Sequence, residues 1–192
     1  MTYGKTIFAI AGSANAARTD ITVGLQLEPP HLDPTGAAAG AIDQVVYANI
    51  FEGLTRFASD GSIVPGLAKS WEISEDGLSY TFTLNSGVKF HDGTAMDAED
   101  VRFSLDRARA EDSTNAQKAL FADIANVDVI DPLTVQVTLS QQNGSFLFNL
   151  AWGDAVIVAP ESIDNIKTKP VGTGPFVLSN WVQGDRIELA KN

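Results

Sequence analysis

The run from Phe90 to Ala108, FHDGTAMDAEDVRFSLDRA, constrains this chain more than any other stretch, because a strand end, a tight turn and a capped helix follow one another without a gap. Asp92-Gly93 tolerates positive φ, which suits a tight turn after the β-prone run ending at Phe90. Asp97 stands where its side-chain oxygen can accept from the free N–H groups of a first helical turn. Glu99 and Asp100 add negative charge where the helix dipole favours it. Val101, Leu105 and Ala108 recur at helical spacing and define a buried stripe, with Arg102, Asp106, Arg107 and Arg109 largely outside it.

Composition narrows the function classes. With 192 residues, 44% of them hydrophobic, the chain can bury a core of ordinary size in one or two domains. Its 24 acidic residues outnumber 13 basic ones, and no basic run offers a footprint for phosphates, which argues against nucleic acid as a partner. There is no cysteine, hence no disulfide framework, thiolate metal site or cysteine nucleophile. The two histidines, His31 and His91, are far apart and have no neighbouring ligand set, so no metal and no cofactor is implied. Near the start, Lys5 precedes TIFAIAGSANAA, an apolar segment ending in small residues. It reads either as a secretory signal over residues 1–17, cleaved near Ala16 or Ala17, or as an N-terminal tail; the apolar part is too short to span a bilayer.

Along the chain, Asp20 to Leu27 alternates as a strand with one buried face would, and Glu28-Pro29-Pro30 ends it. Ala39 to Phe51 carries Ile42, Val45, Val46, Asn49 and Ile50 on one helical face, with Gly53 as its stop. Hairpins follow at Leu54–Val64 around Asp60-Gly61, at Trp71–Leu84 around Glu75-Asp76-Gly77, and at Val127–Leu139 around Asp131-Pro132. Gln117 to Ile124 and Ser145 to Leu150 read as short helices and Ala155 to Val158 as a buried strand. A polar connection, Ile163 to Lys169, leads to a last hairpin of Phe176–Trp181 and Arg186–Ala190 turned near Gly184. The fold class is α+β, a mixed α/β chain whose antiparallel sheet has one wet face.

Three stretches, EPPHLDP with the following helix and FEGL, the HDGT-AEDV-FSL-RA run, and PVGTGPFVLSNW at Pro170 to Trp181, together resemble the family 5 extracellular solute-binding proteins, the peptide and nickel type that feed ABC importers. The resemblance covers nearly everything from Ile21 onward. It implies a type II periplasmic-binding-protein-like lobe: residues 18–54 as the first-lobe N-terminal segment, 55–165 as an inserted antiparallel subdomain, and 166–192 as the return to that lobe. The second lobe would lie outside this chain, which stops at Asn192. It further implies a monomeric, periplasmic component that holds a small solute, most often a peptide, in a cleft between lobes and presents it to an ABC permease in the inner membrane.

The same resemblance places Glu28, Pro30 and His31 at the ligand cleft, although the N–H missing at Pro30 weakens a strand pairing with a peptide. From the residues alone, Trp152, Gly153 and Asp154 form an aromatic and acidic loop suited to a ligand with a cationic end, or else the tryptophan packs at a sheet edge. His91 beside Asp92 reads as a turn residue bonded locally. Gly172-Thr173-Gly174-Pro175 lacks the GK[ST] ending of a phosphate loop and reads as a close-packing turn. Glu75-Asp76 and Glu99-Asp100 fall on a turn tip and a helix start, and no G-x-S-x-G is present, so no catalytic residue is assigned. Two alternatives stay open: a non-binding structural or interaction fragment, and a secreted hydrolase using carboxylates.

Overall fold

The computed structural model describes residues 19–37 and 39–192, so the signal reading of residues 1–17 lies outside the described part. Its centre is helix α2, Ala98–Arg109. Asp97 caps it through Oδ1, which accepts the Glu99 N–H at 2.8 Å, while Asp100 Oδ2 accepts the Asp97 N–H at 2.9 Å, a reciprocal capping box. Upstream, Gly93 takes φ +89° and Asp92 Oδ1 accepts from both the N–H and the hydroxyl of Thr94. Val101, Leu105 and Ala108 are buried as their spacing requires, and Ser104 joins them.

That buried face packs on an antiparallel sheet of four strands, β3 (Ala68–Ile73), β4 (Ser79–Leu84), β5 (Ile124–Asp131) and β6 (Thr134–Leu139), in the order β3-β4-β6-β5. Register sets Tyr80 opposite Val137 and Phe82 opposite Val135. Their side chains, with Leu84 and Leu139, point to the helix and fill one large core. A smaller hairpin, β1 (Thr55–Phe57) with β2 (Ile63–Pro65), precedes the sheet and turns at Gly61, φ +83°.

A second core gathers Leu32, helix α1 (Gly40–Val46) through Ile42, Val45 and Val46, then Ile50, Phe51 and Ile166. The closing hairpin, β7 (Phe176–Val182) with β8 (Arg186–Lys191), leans on it through Leu178, Trp181, Ile187 and Leu189. Two devices tie the cores together. Residues 155–159 run between them, with Ala155, Ile157 and Ala159 entering the larger and Val156 and Val158 the smaller. Asp33, which is buried, accepts from the N–H and hydroxyl of Thr35 at 2.9 and 2.6 Å and lies 3.6 Å from Arg107 of α2, whose guanidinium also reaches the Thr35 hydroxyl.

The chain returns to the second core by a close backbone approach. Gly174 and Phe176 donate their N–H groups to the carbonyls of Ile50 and Asn49, both at 2.9 Å. His91 fastens the same segment, its N–H donating to Gly172 O and its Nε2–H to Gly174 O, both at 2.9 Å, with Nδ1 facing the Gly172 N–H at 3.4 Å. These partners assign the proton to Nε2. His91 is therefore structural as expected, but its bonds reach across 81 and 83 residues rather than within its own turn.

Other expectations change for physical reasons. Asp20 to Leu27 forms no strand among the described residues and bends at Gln26 and Leu27, with Ile21 88% and Leu27 71% exposed; alternation marks a face, whereas a strand also needs a neighbour's N–H and C=O groups. The helix read over Ala39 to Phe51 ends at Val46, since Ala48 takes φ 57° and Tyr47 bridges to Phe51. Gly53 is not its stop; a Cβ there would lie 2.9 Å from the Leu150 carbonyl oxygen. Gln117 to Ile124 shrinks to a 3₁₀ turn at Lys118–Phe121, and the strand end before His91 to one bridge, Lys89 with Ala95. Ala155 to Val158 is buried without being a strand: Ile157 N–H donates to Glu52 O and Val158 N–H to the Ser104 hydroxyl.

Ala at position 174 would place a methyl 2.4 Å from the Asn49 carbonyl oxygen, whereas Gly144 meets nothing within 4 Å. Gly174→Ala is expected to lower stability by about 3 kcal/mol or more, and Gly144→Ala to change it by less than about 0.5 kcal/mol. Urea unfolding of the two variants side by side checks this.

Candidate functional site

The described residues bring Trp152, Gly153 and Asp154 together with two side chains of α1 and its end. A 3₁₀ turn, Gly153–Ala155, follows the short helix α3, Phe146–Asn149, and is held by the Tyr47 hydroxyl donating to Ala151 O at 2.5 Å and by Asn115 Nδ2 donating to Asp154 O at 2.9 Å. Asp43 lies against that turn. A Cβ at position 153 would sit 2.6 Å from Asp43 Oδ1, so glycine there is what admits the carboxylate.

Two carboxyl groups thus share one region without a basic partner among the described residues. Burial raises Asp43 above the ordinary carboxylate range. Burial, and then the neighbouring negative charge of Asp43, push Asp154 up to about 6. Tyr47 is also raised, by burial first, with the positive charge of Arg56 opposing and Asp43 reinforcing. Arg56 itself donates its Nε–H to Pro65 O at 3.1 Å. In the same stretch of chain, Trp152 and Phe148 meet each other and Phe57 edge to face, with ring centroids 5.1 to 6.1 Å apart. Trp152 is 42% and Phe148 45% exposed, so the trio forms an apolar rim as well as a packed contact.

The other three residues fall elsewhere. Glu28 accepts the Gly184 N–H at 2.9 Å and the Trp181 indole N–H at 3.0 Å, fixing the segment before α1 to the tip of the β7–β8 hairpin. Pro30 is exposed, and His31 is half-buried with Nδ1 accepting from the Asp33 N–H at 3.2 Å. No hydrogen bond among the described residues joins these three to the Trp152–Asp154 turn. An open cleft of about 750 Å³ lined by His91, Asp92, Lys169, Pro170 and Trp181 contains none of the six, although Glu28 borders it through the Trp181 indole.

Asp43 and Tyr47 were not legible as site residues. Asp43 reads as an ordinary first-turn acid of α1, and Tyr47 as an aromatic just past the apolar stripe; only their i, i+4 spacing toward one side hints that both could meet a single neighbour. Among the described residues no three His, Cys, Asp or Glu side chains converge as metal ligands, and no helix is long and apolar enough to cross a membrane.

A family model described as bacterial extracellular solute-binding proteins, family 5, middle, matches residues 62–192. The glutathione-binding protein GsiB of Pectobacterium atrosepticum is 36% identical over 192 residues, 98% of this chain and 37% of that protein. Among solved structures, NikZ of Campylobacter jejuni in complex with Ni(L-His) superposes with a TM-score of 0.77 at 31% identity, covering 86% of this chain and 34% of that one. The periplasmic binding protein DppA of Helicobacter pylori in complex with peptide STSA gives 0.78 at 30% identity, over 86% and 37%. The chain thus spans about a third of the length of the relatives it matches.

Asp154 keeps its proton in the folded chain at pH values where the unfolded chain, with the ordinary value of 3.8, has lost it. Stability therefore falls as pH rises from 3.8 through about 6. Asp154→Asn removes this dependence, and is expected to raise stability at pH 7.5 by on the order of 1 kcal/mol. Urea unfolding between pH 4 and pH 7.5 checks both; a variant less stable than the parent throughout would mean that the carboxylate has a stabilising partner.

Proposed function

The chain belongs to the bacterial extracellular solute-binding proteins of family 5, and from that premise we propose that it forms part of the solute-binding component of an ABC importer for peptide-like solutes. Residues 18–54 supply the N-terminal segment of the first lobe, 55–165 the inserted subdomain, and 166–192 the return to that lobe. The Trp152–Asp154 turn with Asp43 is the part of the solute site that this chain contributes. The two lobes close around the solute by hinge motion, without covalent chemistry. The protein is exported to the periplasm, works as a monomer with inner-membrane permease subunits, and requires neither cofactor nor nucleic acid.

The observation that carries this reading is the pair of acids without a basic partner, Asp43 and buried Asp154, next in sequence to the exposed Trp152, in a chain similar along most of its length to a glutathione-binding protein and to a periplasmic binding protein solved with a peptide. A site that presents charge and ring faces without satisfying them internally is built for a guest. A second reading, a scaffold that binds no solute by itself, draws on the exposed apolar run Ile21, Val23 and Leu27.

Thermal unfolding of the chain with glutathione, dipeptides and tetrapeptides at millimolar concentration separates the two. A ligand present at a hundred times its dissociation constant stabilises by about 2.7 kcal/mol, roughly 5–10 °C in midpoint for a chain this size. That rise with at least one peptide class is the expected result. A cooperative transition unmoved by any of them would leave the scaffold reading.

A further inference from the structure

Independently of the solute-binding reading, we propose that the Glu28 carboxylate is a clasp, and that residues 19–28 form a strap which, when the clasp releases, lifts off the β7–β8 hairpin as a unit while both cores stay folded. Release also frees Trp181, part of the wall of the open cleft of about 750 Å³, so the strap controls the shape of that cleft.

Little else among the described residues holds the strap down. Ile21, Val23, Leu25 and Leu27 are 88, 70, 44 and 71% exposed, so they bury little surface that would resist lifting. Residues 19–28 share no main-chain to main-chain hydrogen bond with another described residue; the first such tie is Leu32 N–H to Lys167 O at 2.8 Å, where Leu32 enters the second core. Glu28 makes the segment's only side-chain hydrogen bonds among the described residues. Its Oε1 accepts the Trp181 indole N–H at 3.0 Å, and both carboxylate oxygens lie 2.9 Å from the Gly184 nitrogen. These partners are 153 and 156 residues away and belong to β7 and to the turn beyond it. A carboxylate strengthens the bonds it accepts, but this one is exposed, and water competes for the same donors. The clasp therefore sets the resting position and still opens before the cores do.

The hairpin does not need the clasp. Gly184 makes the turn itself at φ +77°, and nothing lies within 4 Å of the place a Cβ would take there. Arg186, at the start of β8, pairs with Asp185 and Glu188 rather than with Glu28. The ladder from Phe176 opposite Lys191 to Val182 opposite Arg186 is built from β7 and β8 alone. Trp181 is the element shared by strap and cleft: its ring packs against the second core and lines the cleft with His91, Lys169 and Pro170, while its N–H is held by Glu28. Glu28 thus acts as a positioning residue through Trp181, its oxygens already occupied from within the chain.

The test is NMR spectroscopy of the whole chain and of Glu28→Ala and Glu28→Gln, with urea unfolding of all three. In Glu28→Ala the Trp181 indole N–H is expected to exchange with solvent at least about tenfold faster, the heteronuclear NOE of residues 20–27 to fall, and the amide resonances of Lys169 and Val171, across the cleft, to shift, while the amides of β4 and β6 and the urea midpoint stay as in the parent. Glu28→Gln, which keeps one acceptor oxygen, is expected to fall between the two. Unchanged indole exchange in Glu28→Ala would overturn the clasp, as would a Gln variant indistinguishable from the Ala variant. A lowered urea midpoint with faster exchange spread through β7, β8 and the second core would overturn the local strap, because Glu28 would then support the whole fold. Unmoved Lys169 and Val171 resonances would overturn control of the cleft.

Discussion

Two glycines, at positions 172 and 174, let the last part of the chain lie directly on the carbonyls of Asn49 and Ile50, and most of the architecture depends on that contact. A Cβ at position 172 would stand 2.0 Å from Ile50 O, so no other residue type fits without moving backbone. The approach seats the β7–β8 hairpin on the second core. It also puts Gly172 O and Gly174 O where His91 can bond them, linking the turn ahead of α2 to the end of the chain. One steric condition thereby joins three segments that are remote in sequence.

Residues 155–159 show how two cores can share one strip of chain. Side chains of an extended segment alternate in direction, so a strip laid between two apolar clusters can serve both without a polar side. Its main-chain groups are satisfied piecemeal, by Glu52 O and the Ser104 hydroxyl, instead of by a ladder. The turn just before this strip carries Asp154, so the acid of the proposed solute site is anchored to the part of the molecule that both cores hold in place.

Keeping Asp43 and Asp154 unpaired works against stability, because desolvated like charges favour the protonated or the unfolded chain. Several other acids have partners: Asp97 caps α2, buried Asp33 meets Arg107, and Asp60, Asp76 and Asp92 accept from the residues of their own turns. Of the two buried acids among the described residues, Asp33 is paired and Asp154 is not, the kind of destabilising arrangement that persists where a site requires it and the reason Asp154 enters the proposed solute site.

Local chemistry was legible in advance wherever structure is decided by neighbours in sequence. The Asp97 cap, the turns at Gly61, Gly77, Gly93 and Gly184, the paired strands they connect and the buried stripe of α2 all follow from side-chain periodicity and from φ preferences that a few residues settle among themselves. Trp152 and Asp154 were legible as an aromatic and acidic pair. Tertiary structure decided what depends on distant partners: Ile21 to Leu27 has strand periodicity but no strand to pair with among the described residues, and His91 bonds 81 and 83 residues away rather than in its own turn. Asp43 joins Asp154 only because Gly153 brings the turn against α1. Periodicity reports which way a side chain points; what it meets there is set by packing between segments that no local pattern encodes.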